Sequence, residues 1–128
     1  MTGDSACGVG TDIERIDRFR VLDADRHRLF LKRIYTNAEQ EYCRAFVDPA
    51  PHLAARFCAK EAVIKALASL GEHKTIGRDQ IEILPDALNV PRVYFYGYDA
   101  GMRTVSVSLA HSGEYALATA IVTTAANL

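Results

Sequence analysis

The stretch PHLAARFCAKEAVIKALASLG, residues 51–71, decides how this sequence folds. A proline opens it and a glycine closes it, which is typical of a helix with defined ends. At roughly 100° per residue, its large apolar side chains fall within about 80° of one another on one helical face. These side chains belong to Leu53, Phe57, Ile64 and Leu67. The stretch therefore predicts a helix from about Pro51 to Leu70 that packs on the core.

Four charged residues accompany this apolar stripe. Lys60 falls inside it, Glu61 lies on its edge, and Lys65 follows Glu61 by one turn on the same side. Arg56 flanks the opposite edge. Burying an unpaired charge is costly, so two interpretations are open. Either Lys60 extends to the surface while Glu61 pairs with Lys65, or the helix edge is a polar pocket that holds a charged ligand.

The sequence before this helix predicts one strand and two helical pieces. Residues 7–13, CGVGTDI, alternate as in a short strand, with Asp12 pointing opposite its apolar neighbours. Residues 14–34 follow a helical pattern with a break near residues 22–25.

The remaining segments complete a mixed architecture. Thr36 and Glu39 fit a capping box at the start of a helix over about 37–46. After the long helix the pattern changes to strands at 80–84, 92–96, 105–110 and 115–122. We therefore expect residues 1–128 to form a single α+β domain: an N-terminal strand, helices and a C-terminal antiparallel meander.

Composition excludes several classes of protein. The chain has 128 residues, 49% of them hydrophobic and 24% charged, which fits one globular domain. It contains no apolar run long enough to cross a membrane and no leader pattern, so a cytoplasmic location is expected. Three cysteines and four histidines lie without ligand spacing, so neither a disulfide framework nor a soft-ligand metal site is indicated.

The distribution of charge is uneven although the net charge is only −1. Residues 14–33 hold seven basic and four acidic residues, so this segment is +3 and the remainder is −4. The segment is either a solvated helical face or a docking surface for an acidic partner. The aromatic run 94–96 lacks a basic surface around it and is interpreted as strand packing, so no nucleic acid is expected as a partner.

Two carboxylates in different elements suggest a cation site. Asp12 lies beside a glycine-rich strand and Glu61 lies on the helix edge. Mg²⁺ commonly takes one or two protein carboxylates when phosphates and water complete its coordination, and nearby Lys and Arg neutralise the phosphates. The hypothesis is a magnesium pyrophosphate site. No phosphate-binding GxxxxGK[ST] loop and no GxGxxG fingerprint is present.

Three blocks of the chain match a known pattern in order and spacing. They are GVGTDIERIDR (residues 8–18), RFCAKEAVIKAL (residues 56–67) and SLAHSGEYALATAIV (residues 108–122). Together they closely resemble the holo-acyl-carrier-protein synthase family of 4′-phosphopantetheinyl transferases. The resemblance implies the fold of those transferases and the transfer of the 4′-phosphopantetheine arm of coenzyme A to a serine of an acyl carrier protein. The other product would be adenosine 3′,5′-bisphosphate.

The resemblance also implies a role for individual residues. Asp12 and Glu61 would hold Mg²⁺, and Glu61 is the candidate general base, acting directly or through a water on the metal. The catalytic set would be Glu61, Lys65 and His111. The coenzyme A contacts would be Arg56, Lys60, Lys65 and His111. The docking surface for the acidic carrier protein would comprise Arg18, Arg26, Arg28 and Arg33.

Family members are typically homotrimers with sites shared between chains, so a homotrimer is expected here. Two features depart from the family pattern: Ala110 stands where Ser or Thr usually precedes the histidine, and residues 71–80 replace a glycine-rich turn. Without the resemblance, His111 alone would be interpreted as a structural histidine. A coenzyme A or nucleotide binding module without transfer, and another magnesium phosphotransferase or pyrophosphatase, are the alternative functions.

Overall fold

The structure is a computed structural model that describes residues 6–124. In chain order the elements are β1 (Ala6–Arg15), α1 (Asp17–Arg20), α2 (Arg28–Ile34), α3 (Asn37–Arg44), α4 (Ala50–Ser69), β2 (Ile81–Pro85), β3 (Pro91–Phe95), β4 (Arg103–Ser112) and β5 (Tyr115–Thr124). A short 3₁₀ turn, Arg78–Gln80, leads into β2. The α+β class predicted from the sequence is confirmed.

The strands form two antiparallel sheets. In the larger sheet β5 lies between β1 and β4, and the smaller sheet is the hairpin of β2 and β3. The C-terminal strands are antiparallel as predicted, and they are divided between the two sheets. The chain turns away from the hairpin at Gly97 and Gly101, which both have a left-handed φ of 64°, and β4 then begins the other sheet.

Helix α4 lies on the larger sheet at unusually close range. Gly8 and Gly10 of β1 face it, and a Cβ on Gly10 would stand 2.0 Å from the carbonyl oxygen of Ala62. Opposite them on β5, every inward-facing residue from Ala116 to Ala120 is an alanine with no exposed surface. Small residues on both elements thus allow the backbones to approach, and they place the inward-facing residues of β1 against α4.

This close packing changes which face of α4 is buried. Leu53 and Leu67 are buried as predicted, but Phe57 and Ile64 are only partly buried. The fully buried positions are mainly small: Ala54, Cys58, Ala59, Ala62, Val63 and Ala66. A helical wheel weighted by large side chains misses this surface, because the helix contacts the sheet through alanines and is covered by other elements on further sides.

The ends of the helices follow local chemistry. At the start of α3, the Glu39 amide donates to Thr36 Oγ1 (3.2 Å) and the Thr36 amide donates to Glu39 Oε1 (2.9 Å), so the predicted capping box is confirmed. Helix α4 is followed by Gly71 with φ +89°, as expected for a residue after a helix. Strand β1 is longer than predicted: it extends to Arg15, so Glu14 lies in the strand and not in a helix.

The side of the larger sheet that faces away from α4 is open and apolar. Its exposed residues include Val9 and Ile13 on β1, each 57% exposed, and Leu117 and Ile121 on β5. We call these four residues the outer sheet face. Among residues 6–124, no helix has both the length and the apolar character needed to cross a membrane.

Candidate active site

Asp12 occupies the inward side of β1, opposite its apolar neighbours, as predicted from the alternation of the strand. Its Oδ1 accepts a hydrogen bond of 3.3 Å from Lys65 Nζ, which also donates to the Thr11 carbonyl oxygen at 3.0 Å. Its Oδ2 is buried and has no hydrogen-bond partner among residues 6–124. A buried carboxylate oxygen without a donor is costly, so this atom is placed to receive a cation.

Glu61 lies on the edge of α4 with about a fifth of its side chain exposed (20%). Its Oε1 accepts two hydrogen bonds from Arg78, from Nε at 3.1 Å and from Nη2 at 2.5 Å. The guanidinium of Arg78 also lies over the ring of Phe57, 5.4 Å from its centroid. Pairing of Glu61 with Lys65, one of the interpretations open from the sequence, is therefore wrong: Lys65 pairs with Asp12.

A third carboxylate joins this cluster. Burial raises the pKa of Glu14, and the neighbouring negative charges of Asp12 and Glu61 raise it further. Arg18 bonds to the Glu14 carboxylate and acts in the opposite direction. Glu14 is thus close enough to Asp12 and Glu61 to interact with both. We call Asp12, Glu14 and Glu61, with their cations, the carboxylate cluster.

The residues of the cluster fit Mg²⁺ as a partial ligand set. Asp12 Oδ2 is free, and Glu61 uses only Oε1 for Arg78. Within the part of the chain described here, no three Asp, Glu, His or Cys residues are arranged to hold a metal ion by themselves. A cation at Asp12 and Glu61 would therefore take further oxygens from a ligand or water, as Mg²⁺ does in phosphate sites.

Lys60 is in a different place from the one predicted. It is fully buried, and its ammonium donates to Glu39 Oε1 (2.6 Å), the Ile81 carbonyl (2.6 Å) and the Arg78 carbonyl (2.9 Å). All three ammonium protons are used, so the predicted contact between Lys60 and coenzyme A is contradicted. The alternative in which Lys60 reaches the surface is wrong as well, because the side chain points into the protein.

The partner of Lys60 is equally buried. Glu39 has no exposed surface, and its Oε2 accepts a 2.7 Å hydrogen bond from the Ile83 amide. Burial raises the pKa of Glu39 and lowers the pKa of Lys60, while each charge opposes the effect of burial on the other. Lys60 and Glu61 thus hold the same turn: Lys60 binds the main chain of Arg78 and Glu61 binds its side chain.

Arg56 and His111 lie together in a second site. They line a pocket of about 240 Å³ with Tyr42, His52 and Asn89 among its other residues, and none of its lining residues belongs to the carboxylate cluster. Arg56 is 5% exposed; its Nε donates to the Ile83 carbonyl (3.0 Å) and its guanidinium covers the Tyr42 ring (4.4 Å).

His52 is the unpredicted member of this pocket. Its ring stacks on Phe46 at 3.6 Å and meets the His111 ring edge-on at 5.8 Å. Burial, followed by the positive charges of Arg56 and His111, lowers the pKa of His52. The pocket is therefore an aromatic recess whose permanent cation is Arg56, which suits an anionic aromatic ligand.

The predicted docking residues form an exposed basic surface. Arg26, Arg28, Lys32 and Arg33 are exposed on and before α2, together with Leu29 (71%) and Phe30 (49%). In residues 6–124 none of Arg26, Arg28 and Arg33 is engaged in a salt bridge, whereas Arg18 pairs with Glu14. Arg18 is therefore bound to Glu14 of the carboxylate cluster.

Two residues of the cluster, Glu14 and Arg78, were missed in the sequence. Glu14 carries a signal that could have revealed it, because it follows Asp12 by two positions and so lies on the same side of a strand. Arg78 carries none: it lies in the loop segment between α4 and β2, and only the fold brings it to Glu61.

The chain is similar to known proteins over most of its length. The family model of the 4′-phosphopantetheinyl transferase superfamily matches residues 8–120. The holo-[acyl-carrier-protein] synthase of Chlamydia felis is 43% identical over 118 residues, which cover 88% of this chain and 93% of that protein. That of Dehalococcoides mccartyi is 44% identical over 115 residues, which cover 85% of this chain and 92% of the relative.

Solved structures are similar over most of both chains. The acyl carrier protein synthase of Mycobacterium tuberculosis is 34% identical with a TM-score of 0.69, covering 90% of this chain and 95% of that one. The holo-(acyl-carrier-protein) synthase of Bacillus anthracis in complex with coenzyme A (3′,5′-ADP) is 27% identical with a TM-score of 0.73, covering 92% and 96%.

The fold, the carboxylate cluster and these similarities define the class of protein as a 4′-phosphopantetheinyl transferase. Within that class the chain belongs to the holo-acyl-carrier-protein synthase family. It is an enzyme of that family, and the resemblance first seen in its three sequence blocks is confirmed.

The buried pair of Lys60 and Glu39 gives a prediction about stability. Lys60→Met should lower the free energy of unfolding by about 3–5 kcal/mol, because Glu39 is left buried without its counter-charge. Lys65→Met is the matched control, since that lysine is exposed and its ion pair contributes about 1 kcal/mol or less. Urea unfolding of both variants measures the difference. A loss in Lys60→Met no larger than that in Lys65→Met would contradict the structural role.

Proposed function

We propose that this chain transfers the 4′-phosphopantetheine group of coenzyme A to a serine of an apo-acyl carrier protein in a Mg²⁺-dependent reaction, releasing adenosine 3′,5′-bisphosphate. The observation that carries the proposal is the buried Oδ2 of Asp12, which has no partner among residues 6–124, together with the cations on the two carboxylates, Lys65 on Asp12 and Arg78 on Glu61. The family model spans residues 8–120, which supports the further proposal that residues 1–128 form one transferase domain.

The residues suggest a division of labour in the reaction. Asp12 and Glu61 would hold Mg²⁺, which when bound neutralises the pyrophosphate and the charge that develops during transfer. Lys65, already on Asp12, would donate to a phosphate oxygen. The serine oxygen of the carrier forms a bond to the β-phosphorus as the bond to the bisphosphate oxygen breaks. Glu61 is the proposed acceptor of the serine proton.

A mass-shift assay tests the function. Incubation with apo-carrier protein, coenzyme A and Mg²⁺ should increase the carrier mass by one phosphopantetheine group. Asp12→Asn and Glu61→Gln should each lower the rate by about a hundredfold or more, because each removes a charge that stabilises the transferring phosphoryl group. Thermal unfolding checks that both variants are folded.

The outcomes of the assay separate the alternatives. Coenzyme A binding without a gain of mass on any carrier would favour a binding module. Phosphate release from pyrophosphate or nucleotides without a protein acceptor would favour another phosphotransferase or a pyrophosphatase. Near-full transfer by Asp12→Asn or Glu61→Gln would remove that residue from the proposed cation site.

We further propose a homotrimer whose active site is shared between chains. Within one chain, Arg56 and His111 line a pocket separate from the carboxylate cluster, although the resemblance assigns both groups to one ligand. The outer sheet face supplies an exposed apolar surface on the sheet that carries Asp12 and His111. Copies packed on this face would bury it and bring the cluster of one chain to the pocket of the next.

Complementation between inactive chains tests the shared site. Glu61→Gln and His111→Ala should each be nearly inactive alone. When the two are co-expressed in equal amounts, random assembly joins an intact Glu61 to an intact His111 at about a quarter of the sites. Transfer activity should therefore return to about a quarter of wild type. Mixed oligomers that stay as inactive as the parent variants would contradict sharing.

The docking of the carrier protein is proposed on the exposed basic surface. Arg26, Arg28 and Arg33 are exposed and available to the acidic partner, and Arg18 is paired with Glu14 of the cluster. The apolar side chains of Leu29 and Phe30, exposed between these bases, would supply buried contact area.

Charge reversal tests this docking surface. Arg28→Glu should raise the KM for the carrier protein by about tenfold or more, in a salt-sensitive way, and should leave the KM for coenzyme A nearly unchanged. Lys74→Glu, an exposed charge reversal in the loop after α4, is the matched control. Equal changes in both KM values for Arg28→Glu would rule out a carrier-specific role.

A further inference from the structure

Arg78 is held by two adjacent residues of α4, Lys60 and Glu61, in different ways. Its carbonyl accepts from the buried ammonium of Lys60 at 2.9 Å, so the main chain of the turn is fixed. Its side chain is 42% exposed, and within the described part of the chain it is held by Glu61 Oε1 and by the ring of Phe57. The anchor of the turn is thus independent of the guanidinium, which can leave Glu61 without disturbing the fold.

The guanidinium occupies a carboxylate that a divalent cation also needs. In the free protein each of the two proposed metal carboxylates carries one cation, Lys65 on Asp12 and Arg78 on Glu61. An ion bound between Asp12 and Glu61 shares the negative charge of Glu61 with Arg78 and repels the guanidinium as a like charge. The guanidinium is then held less strongly and can move to another anion within reach of its side chain, while the main chain of Arg78 stays fixed by Lys60.

A phosphate beside the ion is the anion that this geometry offers. Arginine presents parallel N–H donors that match two phosphate oxygens. The guanidinium can keep its contact with the ring of Phe57 as it moves away from Glu61. The side chain of Arg78 is 42% exposed, so an anionic ligand at the carboxylate cluster would be able to reach its guanidinium from solvent.

We propose that Arg78 is a phosphate-binding residue that pairs with Glu61 in the free protein. A divalent cation at Asp12 and Glu61 displaces its guanidinium, which then binds the pyrophosphate of coenzyme A. This inference rests on the proposed function only for the identity of the ligand, and it does not require transfer to a carrier protein. Arg78 lies in the segment 71–80, where the sequence departs from the family pattern.

Two equilibrium measurements on the intact protein test the inference. Mn²⁺ binding is followed by electron paramagnetic resonance without coenzyme A, and coenzyme A binding is followed by calorimetry at saturating Mn²⁺. Arg78→Gln should bind Mn²⁺ several-fold more tightly, because Glu61 is freed, yet bind coenzyme A about tenfold more weakly, because a charged hydrogen bond is lost. Arg78→Lys, which keeps the charge but loses the fork, should fall between Arg78→Gln and wild type in both measurements.

Arg20→Gln is the matched control. It removes a similarly exposed arginine, 49% against 42%, from ion pairs with Asp17 and Asp48, and should change neither affinity. Thermal unfolding should show that Arg78→Gln keeps the wild-type fold, since Lys60 binds the main chain of residue 78.

The opposite signs of the two effects make the test strict. An Arg78→Gln variant with unchanged or weaker Mn²⁺ binding, or with coenzyme A affinity within about twofold of wild type, would overturn the inference.

If the wild type binds coenzyme A but modifies no carrier, the proposed function fails while these two affinities still decide the role of Arg78. If the wild type transfers normally and Arg78→Gln binds both ligands as wild type does, only the present inference fails. A wild-type protein that does not bind coenzyme A with Mn²⁺ would overturn both.

Discussion

The ion pair between Lys60 and Glu39 is the interaction on which the rest of the structure depends. It is fully buried and joins α4 to the capping box of α3, while the remaining donors and acceptors of the two side chains hold the main chain around β2. Such a pair is stable only when every hydrogen bond is made, so it specifies one arrangement of these elements. That arrangement also brings the turn at Arg78 to the edge of α4.

A second constraint places the other half of the cluster. Because Gly8 and Gly10 have no side chain, β1 lies directly on the backbone of α4 near Ala62 and Ala66. Asp12, two residues further along the same side of the strand, is thereby brought within 3.3 Å of Lys65 on the helix. The carboxylate cluster is thus the point where a strand fixed by glycines and a turn fixed by a buried ion pair meet the same helix.

Local pattern was enough to predict part of this site. Asp12 was placed correctly by the alternation of its strand, and Glu61 and Lys65 by their position on the helix edge. The predicted contact of Lys60 was wrong. A helical wheel shows that this lysine faces the core, but it does not show that Glu39 and two main-chain carbonyl oxygens accept hydrogen bonds from it there. Arg78 could not be predicted, since its partner lies 17 residues away across a loop with no regular period.

By itself the sequence determined the α+β class, the extent of α4, the capping of α3 and, through its three blocks, the family. These features depend on short-range periodicity, turn chemistry and the order of motifs, which can be recognised in the chain without knowing its tertiary contacts. The tertiary structure alone decided which charges are paired: Lys60 with Glu39, Lys65 with Asp12 and Arg78 with Glu61. It also separated Arg56 and His111 from the carboxylate cluster within one chain. Ion pairing depends on distances of a few ångströms between elements far apart in sequence, and only packing sets those distances.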